Sequence, residues 1–118
     1  SQGSLEAAQV AAALTMQDKS GKRYLDFHQK LLTGRGQVDK ARAMAAAREV
    51  GADMPRLEKD LASAEIKLAL EESMKLAEAF GIQGTPSYVV GNEVLVGAVG
   101  LKELQAKINN ARCGKAVC

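Results

Sequence analysis

The chain is 118 residues long, enough for one domain with a modest core. Its 16 basic and 14 acidic residues leave a net charge of +2 and are interspersed along the chain, and aromatics make up only 3%, so neither a basic stripe for nucleic acid nor stacking platforms for single strands are present. No apolar run approaches the roughly 18 residues of a membrane span, and Ser1 is followed by no charged region with an apolar core, so the chain reads as soluble with no address written in it.

Ser4 reads as the N-cap of a first helix of about a dozen residues, with Glu6 in its first turn and Leu5, Ala8, Ala12 and Met16 at three-and-four spacing. After the polar break from Gln17 to Gly21, a second stripe of Tyr24, Phe27, His28, Leu31 and Leu32 runs to Gly34, where a missing Cβ suits a helix C-terminus. Asp39 caps a third helix through Ala41, Met44, Ala45 and Val50, closed by Gly51. Asp53, Met54 and Pro55 start a short fourth helix with Leu57 and Leu61 on one side. Ser63 opens the longest helix, in which Ile66, Leu70, Ser73, Met74, Ala77 and Phe80 line one face until Gly81 ends it.

Beyond Gly81 the pattern changes period. Val89 and Val90 run into Gly91-Asn92 and out through Val94, Leu95 and Val96, and a two-residue Gly/Asn turn between β-branched runs signals a hairpin. A tight turn sets Val90 opposite Glu93, Val89 opposite Val94, Tyr88 opposite Leu95 and Ser87 opposite Val96. One face then carries Val89, Val94 and Val96, and the other Tyr88, Val90 and Leu95. Such a ribbon needs cover on both sides, and two strands alone are marginal in water, so it is expected to belong to a larger sheet or to be completed by another chain. Gly97 to Gly100 leads into a last helix ending near Arg112, with Leu101, Leu104 and Ile108 inward, Lys102, Glu103 and Lys107 outward, and Glu103 and Lys107 as an i,i+4 pair. The whole is an α/β chain, mostly helical: a helical part over 1–80, then a C-terminal portion over 81–118.

Cys113 and Cys118 lie in the tail and His28 is the one histidine, too few ligands for tetrahedral zinc, so neither a metal nor another cofactor is expected. No Cys-x-x-Cys is present, and no helix N-terminus follows the tail pair to stabilise a thiolate, so it reads as a local structural disulfide or two free thiols rather than a redox pair. His28, among Tyr24, Phe27 and Leu31, reads as a core histidine rather than a general base, since no motif places a nucleophile or carboxylate beside it. The four methionines sit on separate helices as gap-filling side chains, not a ligand set. Thr85-Pro86 stays open between an ordinary trans turn and a cis turn; a cis bond would leave the backbone groups of Thr85 unpaired for an extended peptide to join by strand addition.

The run Phe80-Gly-Ile-Gln-Gly-Thr-Pro-Ser-Tyr-Val-Val-Gly91, followed by Val96-Gly-Ala-Val-Gly-Leu101 and a closing helix, resembles the C-terminal part of DsbA-type thiol:disulfide oxidoreductases. Ser4-Leu5-Glu6-Ala7-Ala8, Tyr24-Leu-Asp-Phe-His28-Gln-Lys-Leu31 and Ala47-Arg-Glu-Val-Gly51 resemble the helical domain which that family inserts into a thioredoxin fold, so the likeness covers nearly the whole chain. The resemblance implies that Pro86 is the family's cis-proline, that Gly84, Thr85 and Pro86 bind substrate, with Thr85 facing the active-site disulfide, and that the protein works in the periplasm on cysteines of exported proteins. The family's first strands and Cys-x-x-Cys helix would lie upstream of Ser1, so the chain is expected to be a fragment, inactive alone, of a catalytic parent. The edge of the strand from Tyr88 to Val90 would then lack its partner, and two copies are expected to join there as a homodimer. Two alternatives remain: a protein resembling kappa-type glutathione transferases or related isomerases, and a non-catalytic helical module that binds peptides or assembles with itself.

Overall fold

The computed structural model describes all 118 residues. In chain order these form α1 (Gln2–Gln17), α2 (Lys22–Thr33), α3 (Lys40–Glu49), α4 (Met54–Leu61), α5 (Ala64–Ala79), β1 (Ser87–Val90), β2 (Glu93–Val96) and α6 (Leu101–Cys113). Two compact units divide the chain, Ser1–Ser73 and Met74–Cys118. The division falls inside α5, where the apolar face stops being buried, rather than after Phe80, where the hydrophobic pattern ends.

In the first unit α1 packs against α2, α3 and α4. Its buried side chains are Ala7, Val10, Ala13 and Leu14, which meet Phe27 and Leu31 of α2, Ala43, Ala46 and Ala47 of α3, Leu57 of α4 and Ile66 of α5. The stripe read from spacing is displaced: Leu5 is exposed, and Ala8, Ala12 and Met16 are only half-buried. The cause is that α1 is apolar almost all round, so spacing alone does not choose a face, and partners on three sides select the branched Val10 and Leu14. The cap is displaced too. Ser1, not Ser4, caps α1, its hydroxyl accepting from the Ser4 amide at 3.2 Å.

α2 buries Phe27 and Leu31 alone. Tyr24 and His28 are exposed, and Leu32 is 65% exposed, so His28 is not a core histidine. One face of a two-partner helix is narrower than the five-residue stripe, and the flanking positions of that stripe fall on its solvent side. The start of α2 is held by a residue the sequence pattern treated as a break: the Asp18 carboxylate accepts from the Ser20 hydroxyl at 2.6 Å, the Ser20 amide at 3.0 Å and the Arg23 amide at 3.0 Å. Those bonds, the Ser20 hydroxyl first, hold the Asp18 carboxyl below the ordinary aspartate range.

The end of α2 is held by Arg42. Its guanidinium donates to the carbonyls of Leu31 at 2.8 Å, Arg35 at 3.0 Å and Gly36 at 2.8 Å. Gly34 serves this cap in a way its helix-ending role did not suggest. Its φ is an ordinary −71°, and a Cβ there would collide with the Arg42 guanidinium, so its small size makes room for a side chain.

Asp39 caps α3 by accepting from the Arg42 amide at 2.9 Å. At the other end Gly51, with φ of 83°, donates to Arg48 and lets Ala52 donate to Ala47, a two-bond cap that uses the left-handed backbone only glycine adopts freely. Ala43, Ala46 and Ala47 are buried, whereas Ala41 and Ala45 face solvent. Asp53 caps α4 through the Arg56 amide at 3.1 Å. The C-terminus of α1 is fastened to this point: Gln17 exchanges two bonds of 2.9 Å with the backbone of Asp53, and Arg56 donates to the Met16 carbonyl at 2.9 Å.

In the second unit the chain leaves α5 through a cap like that of α3. Gly81, with φ of 67°, donates to Glu78 at 3.0 Å, and Ile82 donates to Ala77 at 2.8 Å. The antiparallel pair β1–β2 has the register expected from the turn: Ser87 opposite Val96, Tyr88 opposite Leu95, Val89 opposite Val94 and Val90 opposite Glu93. Gly91 takes the first central position with φ of 61°, which matches a type II′ turn. Helix α6 packs on β1, so the face bearing Tyr88, Val90 and Leu95 is half-buried. The opposite face is not covered; Val89, Val94 and Val96 are exposed, Val96 by 62%. On α6 Leu104 and Ile108 are half-buried, but Leu101 is 81% exposed because it begins the helix, beyond the reach of the hairpin. Lys107 turns to Glu93 at 3.3 Å instead of pairing with Glu103.

Two outcomes follow from the α2 caps. A carboxyl with a depressed folded pKa stabilises above the ordinary aspartate range and loses that effect as pH falls through its folded value; an NMR titration is expected to place the Asp18 midpoint below that of a free aspartate, with the Ser20 and Arg23 amides shifting on the same curve, and Asp18→Asn removes the curve. Replacing Arg42 with Lys keeps the charge but loses the fork, and is expected to lower unfolding stability by about 1–3 kcal/mol in denaturant titration, since a compact ammonium cannot span three carbonyls.

Candidate functional site at the Gly84 to Ser87 turn

The glycine cap at Gly81 stops α5 and sends the chain across Gln83 toward the hairpin. Pro86 has no amide hydrogen and restricts Thr85 to extended conformations, so this segment cannot continue a helix. The Thr85–Pro86 peptide bond is cis.

The turn is pinned on both sides of Thr85. The Ser87 hydroxyl donates to the Gly84 carbonyl, and the Gly97 amide, just past β2, donates to the Pro86 carbonyl at 2.8 Å. A Cβ on Gly84 would sit 3.9 Å from the Val96 side chain, an ordinary contact. Gly84 therefore lies against the end of β2 without being forced to be glycine. Between the pinned carbonyls, Thr85 is exposed, and neither its amide nor its carbonyl engages the chain's own backbone. Gly84, Thr85 and Pro86, the three residues expected to bind substrate, thus form one uncharged surface whose free donor and acceptor belong to Thr85.

No thiol stands in this turn. Cys113 and Cys118 are joined as a disulfide, with Cα atoms 6.1 Å apart, and there is no other cysteine. No three His, Cys, Asp or Glu side chains gather as a metal-binding group. His28 lies in the first unit, its ring stacked on Tyr24 with centroids 5.8 Å apart. That stack borders a groove of about 620 Å³, floored by Ala8, Ala12, Phe27 and Leu31 and flanked by Leu70. Spacing did not show it. Its only sequence signal is the surplus of small residues on α1 opposite the large side chains of α2.

Comparison with known proteins places these features. The family model of the DSBA-like thioredoxin domain matches residues 1–109. The fold is similar to the crystal structure of a thioredoxin-like oxidoreductase from Silicibacter pomeroyi DSS-3, with a TM-score of 0.84 and 35% identity over 95% of this chain and 62% of that one. It is also similar to Proteus mirabilis ScsC in a compact conformation, with a TM-score of 0.77 and 25% identity over 92% of this chain and 58% of that one. No curated protein matches. The chain therefore spans about three-fifths of the length of these solved relatives. Six helices and a single hairpin are thus a mostly helical form of a thioredoxin-like, DsbA-type fold, and the chain belongs to the DSBA-like thioredoxin domain family.

Proposed function

We propose that the chain is the polypeptide-holding part of a thiol:disulfide oxidoreductase that acts on cysteines of exported proteins in the periplasm. The observation that supports this most is the exposed Thr85, its amide and carbonyl free between two pinned carbonyls. An extended polypeptide adds to such a position as a strand adds to a sheet edge, through backbone hydrogen bonds that any sequence supplies. An enzyme meeting many substrates needs that tolerance. Because the flanking carbonyls are already held, little further ordering is needed when the peptide arrives.

The 118 residues include no Cys-x-x-Cys. In this reading the exchange takes place on a cysteine pair outside them and the chain alone does not oxidise substrates by that route. A thiolate of the substrate attacks the parent's disulfide, a mixed disulfide forms as one enzyme thiolate leaves, and a second substrate thiolate displaces the other, so two electrons pass to the enzyme. Thr85 and Pro86 orient the polypeptide during both attacks. A second copy of the chain belongs to the same reading, because the hairpin has no third strand and the face of Val89, Val94 and Val96 is apolar and open.

Binding of an extended cysteine-containing peptide, measured by calorimetry, is expected to weaken about fivefold in Thr85→Pro, which lacks the amide donor, and to change by less than about twofold in Thr85→Ala, which keeps it. Equal losses in the two variants would point to the side chain and count against backbone recognition. Self-association through the edge of β1 predicts a dimeric mass in sedimentation that reverts to monomer in Val89→Lys, a charge placed on that exposed edge strand; a monomer at every concentration would remove the second copy from the account.

A further inference from the structure

The tail disulfide closes the small loop from Cys113 to Cys118, and both cysteines and all four residues between them are exposed. A loop this short restrains the unfolded chain less than a long one would, and it lies outside the buried core. Asn109 organises it from α6: its side-chain amide donates to the Ala116 carbonyl at 2.8 Å, while its side-chain oxygen accepts from Gln105 at 3.0 Å. Two backbone carbonyls also stand against the sulfurs, Asn109 O at 3.4 Å from Cys118 Sγ and Lys115 O at 3.6 Å from Cys113 Sγ. A disulfide sulfur has no proton to give, whereas a thiol does, so these acceptors suit the reduced pair. Accessible disulfides that do not hold a core are the labile ones.

We propose that Cys113 and Cys118 form a thiol-exchange site of their own, which takes two electrons from cysteine thiols, supplied either by one dithiol or by two monothiols in turn. The incoming thiolate attacks one sulfur of the pair, a mixed disulfide forms as the Cys113–Cys118 bond breaks, and the departing thiolate takes a proton from water. A second thiolate attacks the mixed disulfide at the sulfur that came in, leaving the donor oxidised to a disulfide and the second cysteine of the pair as a thiolate, which also takes a proton from water. Asn109 is the positioning residue, holding the Ala116 carbonyl so that the two sulfurs meet again when a small-molecule disulfide such as glutathione disulfide takes the two electrons back. Cys113 ends α6, and the negative end of a helix does not stabilise a thiolate, so exchange here relies on exposure. The site does not depend on peptide binding at Thr85.

The test equilibrates the folded chain with glutathione buffers of varied thiol-to-disulfide ratio, traps thiols with maleimide and weighs the product. The reduced fraction is expected to follow the buffer ratio, and a reduced peptide bearing a cysteine pair is expected to become oxidised as the chain gains two maleimides. Asn109→Ala is expected to shift the equilibrium about threefold toward the dithiol, since the lost hydrogen bond belongs to the closed loop. Peptide affinity at the Thr85 turn, measured by calorimetry, should be the same for the oxidised and the dithiol chain, which separates this site from the peptide-holding turn. A pair that stays oxidised at every ratio, or whose reduction collapses the amide spectrum of the hairpin, would overturn the proposal by showing a structural bond.

Discussion

The bond from the Gly97 amide to the Pro86 carbonyl ties the far end of β2 to the turn before β1, and the character of the site depends on it. Together with the Ser87 hydroxyl on the Gly84 carbonyl, it satisfies the carbonyls on either side of Thr85 and leaves the residue between them unsatisfied. An exposed amide and carbonyl in a mobile loop would be solvated and unremarked. Held in place, they present a donor and an acceptor of fixed spacing to whatever chain lies alongside.

The surrounding elements serve that fixation in different ways. The glycine cap at Gly81 ends α5 without a trailing helical residue, so the turn begins from a defined exit. Helix α6 braces one face of the ribbon, and its Lys107 answers Glu93 at the turn. In the other unit, stability rests on alanine-lined contacts around α1 and on polar fasteners at helix ends: Asp18 and Arg42 on α2, Gln17 and Arg56 where α1 meets α4. Every fully buried residue there is apolar; among its charges the Asp60 carboxylate is shielded and pairs with Arg56 at 3.4 Å.

What could be read from the chain was what short-range chemistry decides. The Gly91-Asn92 turn fixes the pairing of eight residues, because a two-residue loop admits one register. Asp39, Asp53, Gly51 and Gly81 mark helix ends by caps that involve neighbours within a few positions. Faces were harder. Alanine-rich α1 has apolar residues on every side, and Tyr24, His28 and Leu32 belong to a stripe that α2 has partners to bury only in part. Arg42 could not have been recognised, since it reaches carbonyls up to eleven residues away and looks like any surface arginine in the sequence. Of the site itself, the Gly84-Thr85-Pro86 run stood out by composition and by resemblance, but the freedom of the Thr85 backbone depends on where Gly97 lies. The state of the tail cysteines was open because their spacing allows either a bond or two thiols.

Hydrogen exchange at a single position tests the central claim most directly. With an extended cysteine-containing peptide bound, the Thr85 amide should exchange more slowly than in the free chain, while the amides lining the groove around Phe27 and Leu31 keep their rates. Protection confined to that groove, with Thr85 exchanging as freely as before, would contradict the account.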